Sequence, residues 1–406
     1  MNRRHDIDAL RVFAFALLIL YHTAMAYVDD WGFHLKSSYT SEWLQWPMLF
    51  VNRWRMALLF LLSGIAIALM GPGQQIGRFV AKRSWRLLLP LLFGMFVVVP
   101  VQPYCEAVAS GHAAPGFWAF LLRYWQVSPW PQDSFTGWQF GITWNHLWYL
   151  AYLWVYTVLL ALLMPLLGSA TVRSAMQRFA CAPALVLVGV PSVVLFIWVA
   201  WLDPRYPSTG ALFDDWYQHA KYGSVFLAGY LLARQASFWD RVVALRWTTL
   251  WMALVAISWY FGIRVLGRML AEDSALRQWP DAFWTAQVMA SQSLYLWAML
   301  LTLLGWAKTW LDRPFRWLPY CTEAIFPWYM LHQSLIIVLL FWLKPLQLGP
   351  WWEPLLVLAG TVAGCLLLHE LLIRRIPVLR PLFGMPARGR SSRTSPIAIA
   401  QEGARG

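Results

Sequence analysis

The chain has 406 residues, 60% of them hydrophobic and only 13% charged. A soluble globular domain carries about a quarter charged residues, so this composition excludes one and points to a protein embedded in lipid. The formal charge of +13 would suit a nucleic-acid binder, but its distribution along the chain assigns it to membrane orientation instead. Twenty-nine tryptophans agree, because indole rings favour the membrane–water boundary. The four cysteines, Cys105, Cys181, Cys321 and Cys365, form no CxxC pair and predict neither a disulfide framework nor a metal site.

Ten apolar segments are long enough to cross a bilayer: about 9–28, 54–70, 85–100, 146–167, 182–202, 217–233, 247–266, 284–306, 321–343 and 352–373. The second, third and sixth are near the short limit. The predicted fold is all-α, a polytopic membrane protein of about ten transmembrane helices over residues 1–375. Residues 376–406, rich in Gly, Ser and Arg, read as a disordered basic cytoplasmic tail. Ten spans put both termini on one side, and that side holds 22 of the 32 Lys and Arg residues, which places it in the cytoplasm. The first segment could pass for a signal peptide ending at Ala24-Met25-Ala26. Asp6 and Asp8 in its basic region, and an apolar run long enough to span, favour a retained helix. The long outer segment 101–145 contains GFWAFLLRYW (Gly116–Trp125), which reads as a short interfacial helix.

Ionisable groups inside a span are costly and often mark function. In DALRVFAFALLILYH (Asp8–His22), Arg11 and His22 are eleven residues apart, about 16 Å and just over three turns, so they share a helix face. That spacing suits a polar track from the cytosol past mid-membrane, and equally an anchoring arginine and a packing histidine. Segment two opens NRWRMALLFLLSG (Asn52–Gly64), with Arg53 and Arg55 expected near its outer end and His22 level with Phe60. Ser63-Gly64 reads either as a small-residue packing site or as a place of close substrate approach. Lys82, Arg83 and Arg86 form a basic inner patch, either an anchor or a clamp for a phosphorylated ligand. GPGQQIG (Gly71–Gly77) lacks the spacing and preceding strand of a nucleotide loop. His146 opens segment four at the outer surface, before Trp148 and Tyr149. His332, in FPWYMLHQSL, is expected at a depth similar to His22, and two mid-membrane histidines at one level are less easily incidental than one. The outer tryptophans Trp31, Trp43, Trp46, Trp125, Trp130, Trp138 and Trp144 read as belt residues, some of which could stack on sugars.

Taken together these pieces resemble the membrane-bound acyltransferase 3 family, and within it the branch that modifies periplasmic glucans, of the glucan succinyltransferase type. The resemblance rests on DALRVFAFALLILYH, WRMALLFLLSG (Trp54–Gly64), RSWR (Arg83–Arg86), HLWYL (His146–Leu150) and FPWYMLHQS (Phe326–Ser334), in this order over most of the chain. Leu59 departs from it, where an aromatic often precedes the Phe. The lack of an appended hydrolase-like domain is similar to the stand-alone glucan-modifying type.

The resemblance implies an acyl-CoA-dependent O-acyltransferase of the bacterial inner membrane. It would move a succinyl or acetyl group from cytosolic succinyl-CoA or acetyl-CoA to a hydroxyl of an extracytoplasmic glycan, without a metal. His22 would be the general base, with Arg55 and Ser63 stabilising the oxyanion and Arg11 on the CoA side. Lys82, Arg83 and Arg86 would hold the CoA phosphates, and His146, His332 and Trp148 would contact acceptor or thioester. The expected partners are membrane lipid and the glycan acceptor, with a homodimer as one arrangement and no nucleic acid. A transporter or flippase for a glycan or lipid precursor is the alternative from the same polar residues, although no repeat or broken helix pair supports it. A structural subunit of a glycan-synthesis complex is the third reading.

Overall fold

The computed structural model describes residues 3–71, 75–270, 274, 276 and 279–386. Residues 72–74 of the glycine-containing loop and 387–406 of the tail lie outside the described residues. In chain order the helices are α1 (His5–Met25), α2 (Gln45–Met70), α3 (Ile76–Phe93), α4 (Val101–Ala109), α5 (Phe117–Tyr124), α6 (Trp148–Leu167), α7 (Ala170–Ala180) and α8 (Ala184–Leu202). They continue with α9 (Trp216–Leu232), α10 (Ala236–Ala244), α11 (Arg246–Met269), α12 (Asp281–Trp310), α13 (Leu318–Leu343), α14 (Trp352–Leu368) and α15 (Leu379–Leu382). Among the described residues the only strand-like feature is an isolated bridge between Val28 and Ser41. The all-α polytopic architecture is therefore the observed one.

Nine helical segments among the described residues are long and apolar enough to cross a membrane. The expected tenth is α9, shorter at 17 residues and carrying His219 and Lys221. Its two ends fix its reach. Tyr217 and Lys221 share a small cavity with Arg53 of α2, and just past its other end Arg234 donates to the Ala68 carbonyl of α2 at 2.9 Å. It thus runs beside α2 over about 22 Å of that helix. Two glycines allow the pairing. A Cβ at Gly64 would lie 2.0 Å from the Phe226 carbonyl oxygen, and one at Gly229 would lie 2.3 Å from that of Leu61. Small residues let helix backbones meet where lipid supplies no hydrophobic drive for association.

Helix α2 is the axis of the bundle. Leu58, Leu59, Phe60, Leu61 and Leu62 are each at most 2% exposed, so it is surrounded on every side. It also starts nine residues earlier than its expected span, which puts Arg53 and Arg55 about two to three turns inside the helix rather than at its end. The hydropathy of the sequence falls at these charges. The fold offsets them with aromatic partners: the Arg55 Cζ lies 3.3 Å from the Tyr21 ring centroid, and Arg53 Nη2 donates to Tyr260 Oη at 2.7 Å. With Asn52 Nδ2 also donating to Tyr21 Oη at 2.5 Å, α1 meets α2 about 52–55 at the level of Tyr21. His22 therefore sits near Arg55, not opposite Phe60 as expected. The 19-residue α1–α2 connection makes no tight hairpin and permits this register.

The connection is tied down at the end of α1, where the Lys36 ammonium donates to the carbonyls of Met25, Val28 and Trp31. A cation on the last carbonyls suits a helix C-terminus. Burial pushes the Lys36 pKa down, against an upward pull from Asp29 and Asp30. Helix α3 carries Pro90 and runs through a π turn (Gly94–Val98), so the outer segment begins with helix α4 rather than loop. Helix α5 falls where the short interfacial helix was expected, with Trp118 and Leu122 exposed.

Residues 376–386, assigned to the disordered tail by their sequence, form ordered structure as far as Pro386. Phe383 and Met385 are buried, and the Arg380 guanidinium reaches Glu323 of α13 at 3.4 Å. Gly384 turns the chain at φ 70°, where a Cβ would meet the Phe326 ring at 2.5 Å. The Gly, Ser and Arg content of 376–406 made this stretch read as tail, and a tertiary ion pair with two apolar anchors overrides that signal.

Candidate active site

Five arginines converge on one face of the bundle. Arg3, Arg4, Arg11, Arg83 and Arg86 line a cavity of about 460 Å³, opposed among the described residues by two acids, Asp8 and Glu323. Its size lies within the usual range for small-molecule sites. The N-terminal arginines are partly spent: Arg3 pairs with Asp8 at 3.0 Å, Arg4 with Asp6 at 2.6 Å, and Arg11 with Asp8 at 3.8 Å. Arg83 and Arg86 have no carboxylate within 4 Å among the described residues, and the buried Nε of Arg83 has no partner. Two guanidinium forks one helical turn apart are thus left free for an anionic ligand. Lys82 points elsewhere, exposed and outside the cavity. Gly384, Met385 and Pro386 complete the wall.

On its inner side the cavity is lined by Ser63, Tyr149, Tyr329 and Phe15. Ser63 Oγ and Tyr149 Oη lie 2.7 Å apart, and Phe15 packs edge-on against Tyr329 with centroids 5.3 Å apart. Ser63 and Gly64 therefore part company: the serine faces the cavity while the glycine serves the α2–α9 contact. Ser63 lies eight residues, about 12 Å, along α2 from Arg55 and so belongs to the arginine cavity rather than to the histidine centre.

Beyond this floor lies a histidine centre. His22 Nδ1 and His332 Nε2 are 2.8 Å apart, with the rings nearly parallel at 10° and their centroids 5.0 Å apart, so they meet edge to edge. The expected common depth of the two histidines is thus met by direct contact. Arg55 is close enough for its charge to act on both imidazoles, and its buried Nε and Nη1 have no partner among the described residues. His146 packs edge-on against His332 at 5.1 Å. Both its ring nitrogens face protein partners: Nε2 is 3.2 Å from the Met330 carbonyl, and Nδ1 is 3.3 Å from Gln102 Nε2. His146 acts as a wall behind His332. Trp148 packs against Tyr152 and Tyr222 and lines neither the cavity nor the histidine contact.

A buried amide network fixes this wall. Gln102 donates to Ser334 Oγ at 2.8 Å, and its Oε1 accepts from Asn145 at 2.8 Å and from Gln333 at 3.1 Å. Asn145 sits at φ 43°, a conformation asparagine tolerates, and turns the chain so that His146 enters the core. The sequence reading passed over Gln102 and Gln333; their signal was an amide in an otherwise apolar run, which demands a partner inside a membrane. It also missed Tyr149, Tyr329 and Glu323, and Arg3 and Arg4 as cavity residues, because their convergence is tertiary.

The stripe that joins Arg11 to His22 on α1 is interrupted by Phe15. Arg11 and Phe15 line the cavity, while His22 lies seven residues further on, almost two turns and about 10 Å. On α13 the cavity ends at Tyr329, three residues or about 4.5 Å before His332. The Phe15–Tyr329 contact is the partition between the two halves.

Against known families, the chain matches the model of the acyltransferase domain (acyltransferase 3 type) over residues 4–370. The chain belongs to this acyltransferase family. No curated protein and no solved structure matches it. The acyltransferase domain takes in every residue of the arginine cavity except Arg3 and the 384–386 wall, and all of the histidine centre. An acyltransferase must bring an activated acyl group and a nucleophile to one point. This membrane acyltransferase has a basic pocket at one face and an imidazole pair inside the bundle.

Proposed function

We propose that the protein moves an acyl group, succinyl or acetyl, from cytosolic acyl-CoA to a hydroxyl of an extracytoplasmic glycan across a bacterial inner membrane. The observation that carries this reading is the arginine cavity ending about one helical turn short of the paired histidines. Arg83 and Arg86, with Arg11 behind them, hold the CoA phosphates; the acyl-pantetheine arm runs past Ser63 and Tyr149 towards Phe15 and Tyr329. Displacement of that aromatic partition admits the thioester to His22. His22 takes the acceptor hydroxyl proton as the oxygen attacks the thioester carbonyl, and Arg55 offers its unpaired N–H groups to the oxyanion. Collapse expels the thiolate, which takes the proton from His22 and leaves as free CoA thiol.

The test is acceptor-dependent release of CoA thiol by the purified protein supplied with succinyl-CoA or acetyl-CoA and a glucan. Thiol release that follows acceptor concentration supports the reading. Movement of a glycan or lipid across vesicles with no thiol released identifies a carrier instead. The donor side has its own prediction. Replacing Arg83 and Arg86 together with Gln removes charge-assisted contacts of about 1.5–3 kcal/mol each, so the KM for acyl-CoA should rise at least about a hundredfold. Lys82→Gln, outside the cavity, should stay within about twofold of the parent. Equal effects of both replacements in steady-state kinetics would mean that general surface charge, not the cavity, attracts the donor.

A further inference from the structure

The ring nitrogens of the two paired histidines can be assigned from their partners. His332 Nδ1 lies 2.7 Å from the Tyr329 carbonyl oxygen and 3.2 Å from that of Trp328. Carbonyls only accept, so Nδ1 of His332 carries a hydrogen. Both carbonyls belong to the turn of α13 that precedes His332, so the helix itself dictates this tautomer. In neutral His332 the other nitrogen, Nε2, then has a free lone pair. The nitrogen that faces it at 2.8 Å, His22 Nδ1, must be the donor. Neutral His22 therefore keeps its lone pair on Nε2, which makes no hydrogen bond among the described residues and belongs to a half-buried ring.

We infer that His332 is a positioning residue, which locks His22 in the Nδ1–H tautomer and so presents Nε2 as the base. This deepens the reading of His22 as general base and rests on it. A relay runs from the Tyr329 carbonyl through His332 to His22, each imidazole donating from Nδ1 and accepting at Nε2. When His22 Nε2 takes the acceptor hydroxyl proton, an oxygen–carbon bond forms and the carbon–sulfur bond then breaks. The thiolate recovers that same proton, and the two Nδ1 hydrogens remain in the relay throughout. During the charged stage the Nδ1–H of His22 becomes a charge-assisted donor to His332, which holds the imidazolium where it forms. Among the described residues no carboxylate takes the orienting position, and none is needed, because a backbone carbonyl anchors the far end. His146, with both nitrogens occupied, blocks the other side of the His332 ring and prevents it from turning.

The experiment pairs kinetics with a readout independent of turnover. In wild-type protein with nitrogen-15-labelled histidine, magnetic resonance should report His22 as the Nδ1–H tautomer. His332→Ala should let the Nε2–H form appear and lower kcat about 10²-fold, with the KM for acyl-CoA unchanged, since wrong-tautomer variants of a catalytic histidine lose rate rather than binding. His332→Gln, whose amide oxygen can accept from His22 Nδ1, should recover at least tenfold over the alanine variant and controls for a folding defect. A wild-type His22 found as Nε2–H overturns the assignment whatever the activity. So does a folded His332→Ala with full kcat, or one in which kcat and KM worsen together and glutamine restores nothing. Should the wild type release no thiol at all, the acyl-transfer reading fails, while the resonance measurement still decides the tautomer.

Discussion

Replacing His22 with alanine is expected to abolish acyl transfer while leaving the donor bound. A positioned general base supplies about 10²–10⁴-fold in rate, and among the described residues no other group offers a free imidazole lone pair beside Arg55. Among the described residues its single hydrogen-bond partner is His332, whose Nε2 would lose one donor, a stability cost of about 1 kcal/mol that a bundle of this size tolerates. The arginine cavity does not include His22, so binding of acyl-CoA should persist with unchanged affinity. Calorimetry on the variant, together with thiol release, separates these effects. Near-normal turnover would remove His22 from the mechanism. Loss of donor affinity in step with turnover would mean that the cavity and the histidine centre are one site. Labelled acyl retained on wild-type protein but not on the variant would replace general-base transfer by an acyl-histidine intermediate.

The spans were legible because burial in lipid and burial in protein ask for the same residues, and nine of the ten expected segments coincide with long apolar helices. Segment six was legible too, although its helix is shorter and held by α2. What hydropathy could not show was where α2 begins. Arg53 and Arg55 lower the apolar score at the point where Tyr260 and Tyr21 make them tolerable. The placement of His22 opposite Phe60 was lost with it, since the register of two helices depends on cross-helix contacts that no single segment reveals.

The site was legible in its parts and not in its assembly. Arg11, Arg83 and Arg86 were found from spacing and meet in one cavity; His22 and His332 were found from depth and touch. The spacing of Arg11 and His22 suited one open track as well as an anchor and a packing histidine, because helical spacing puts both on one face. Phe15 is on that face as well, and its packing on Tyr329 divides the track. Helical periodicity gives the angle of a side chain but not what stands between two of them. Similarly, His146 looked like an interfacial residue until the Asn145 turn and the Gln102 network drew it into the core.

The other large effect is expected at Gly64, where the sequence left packing and substrate approach open. The contact with α9 decides for packing: a methyl group there would sit 2.0 Å from the Phe226 carbonyl oxygen, which belongs to backbone and cannot rotate aside. Even Gly64→Ala must therefore push α2 from α9 along a seam that includes Gly229 against Leu61. Overpacking of this kind costs about 1–3 kcal/mol and more where backbone is the obstacle, a large fraction of a marginal fold. Gly64→Ala should lower the unfolding temperature in detergent by several degrees, and Gly64→Val should yield little monodisperse protein. Ser63→Ala, one residue away, should keep the parent stability, because Ser63 faces the cavity and gives up only its contact with Tyr149. Thermal unfolding of the three variants separates the two roles that adjoin in the sequence. Wild-type stability in Gly64→Val would show that α2 and α9 are not packed this way. An active-site loss in Gly64→Ala without any change in stability would restore the substrate-approach reading, since a seam glycine can reach the chemistry only by first deforming the bundle.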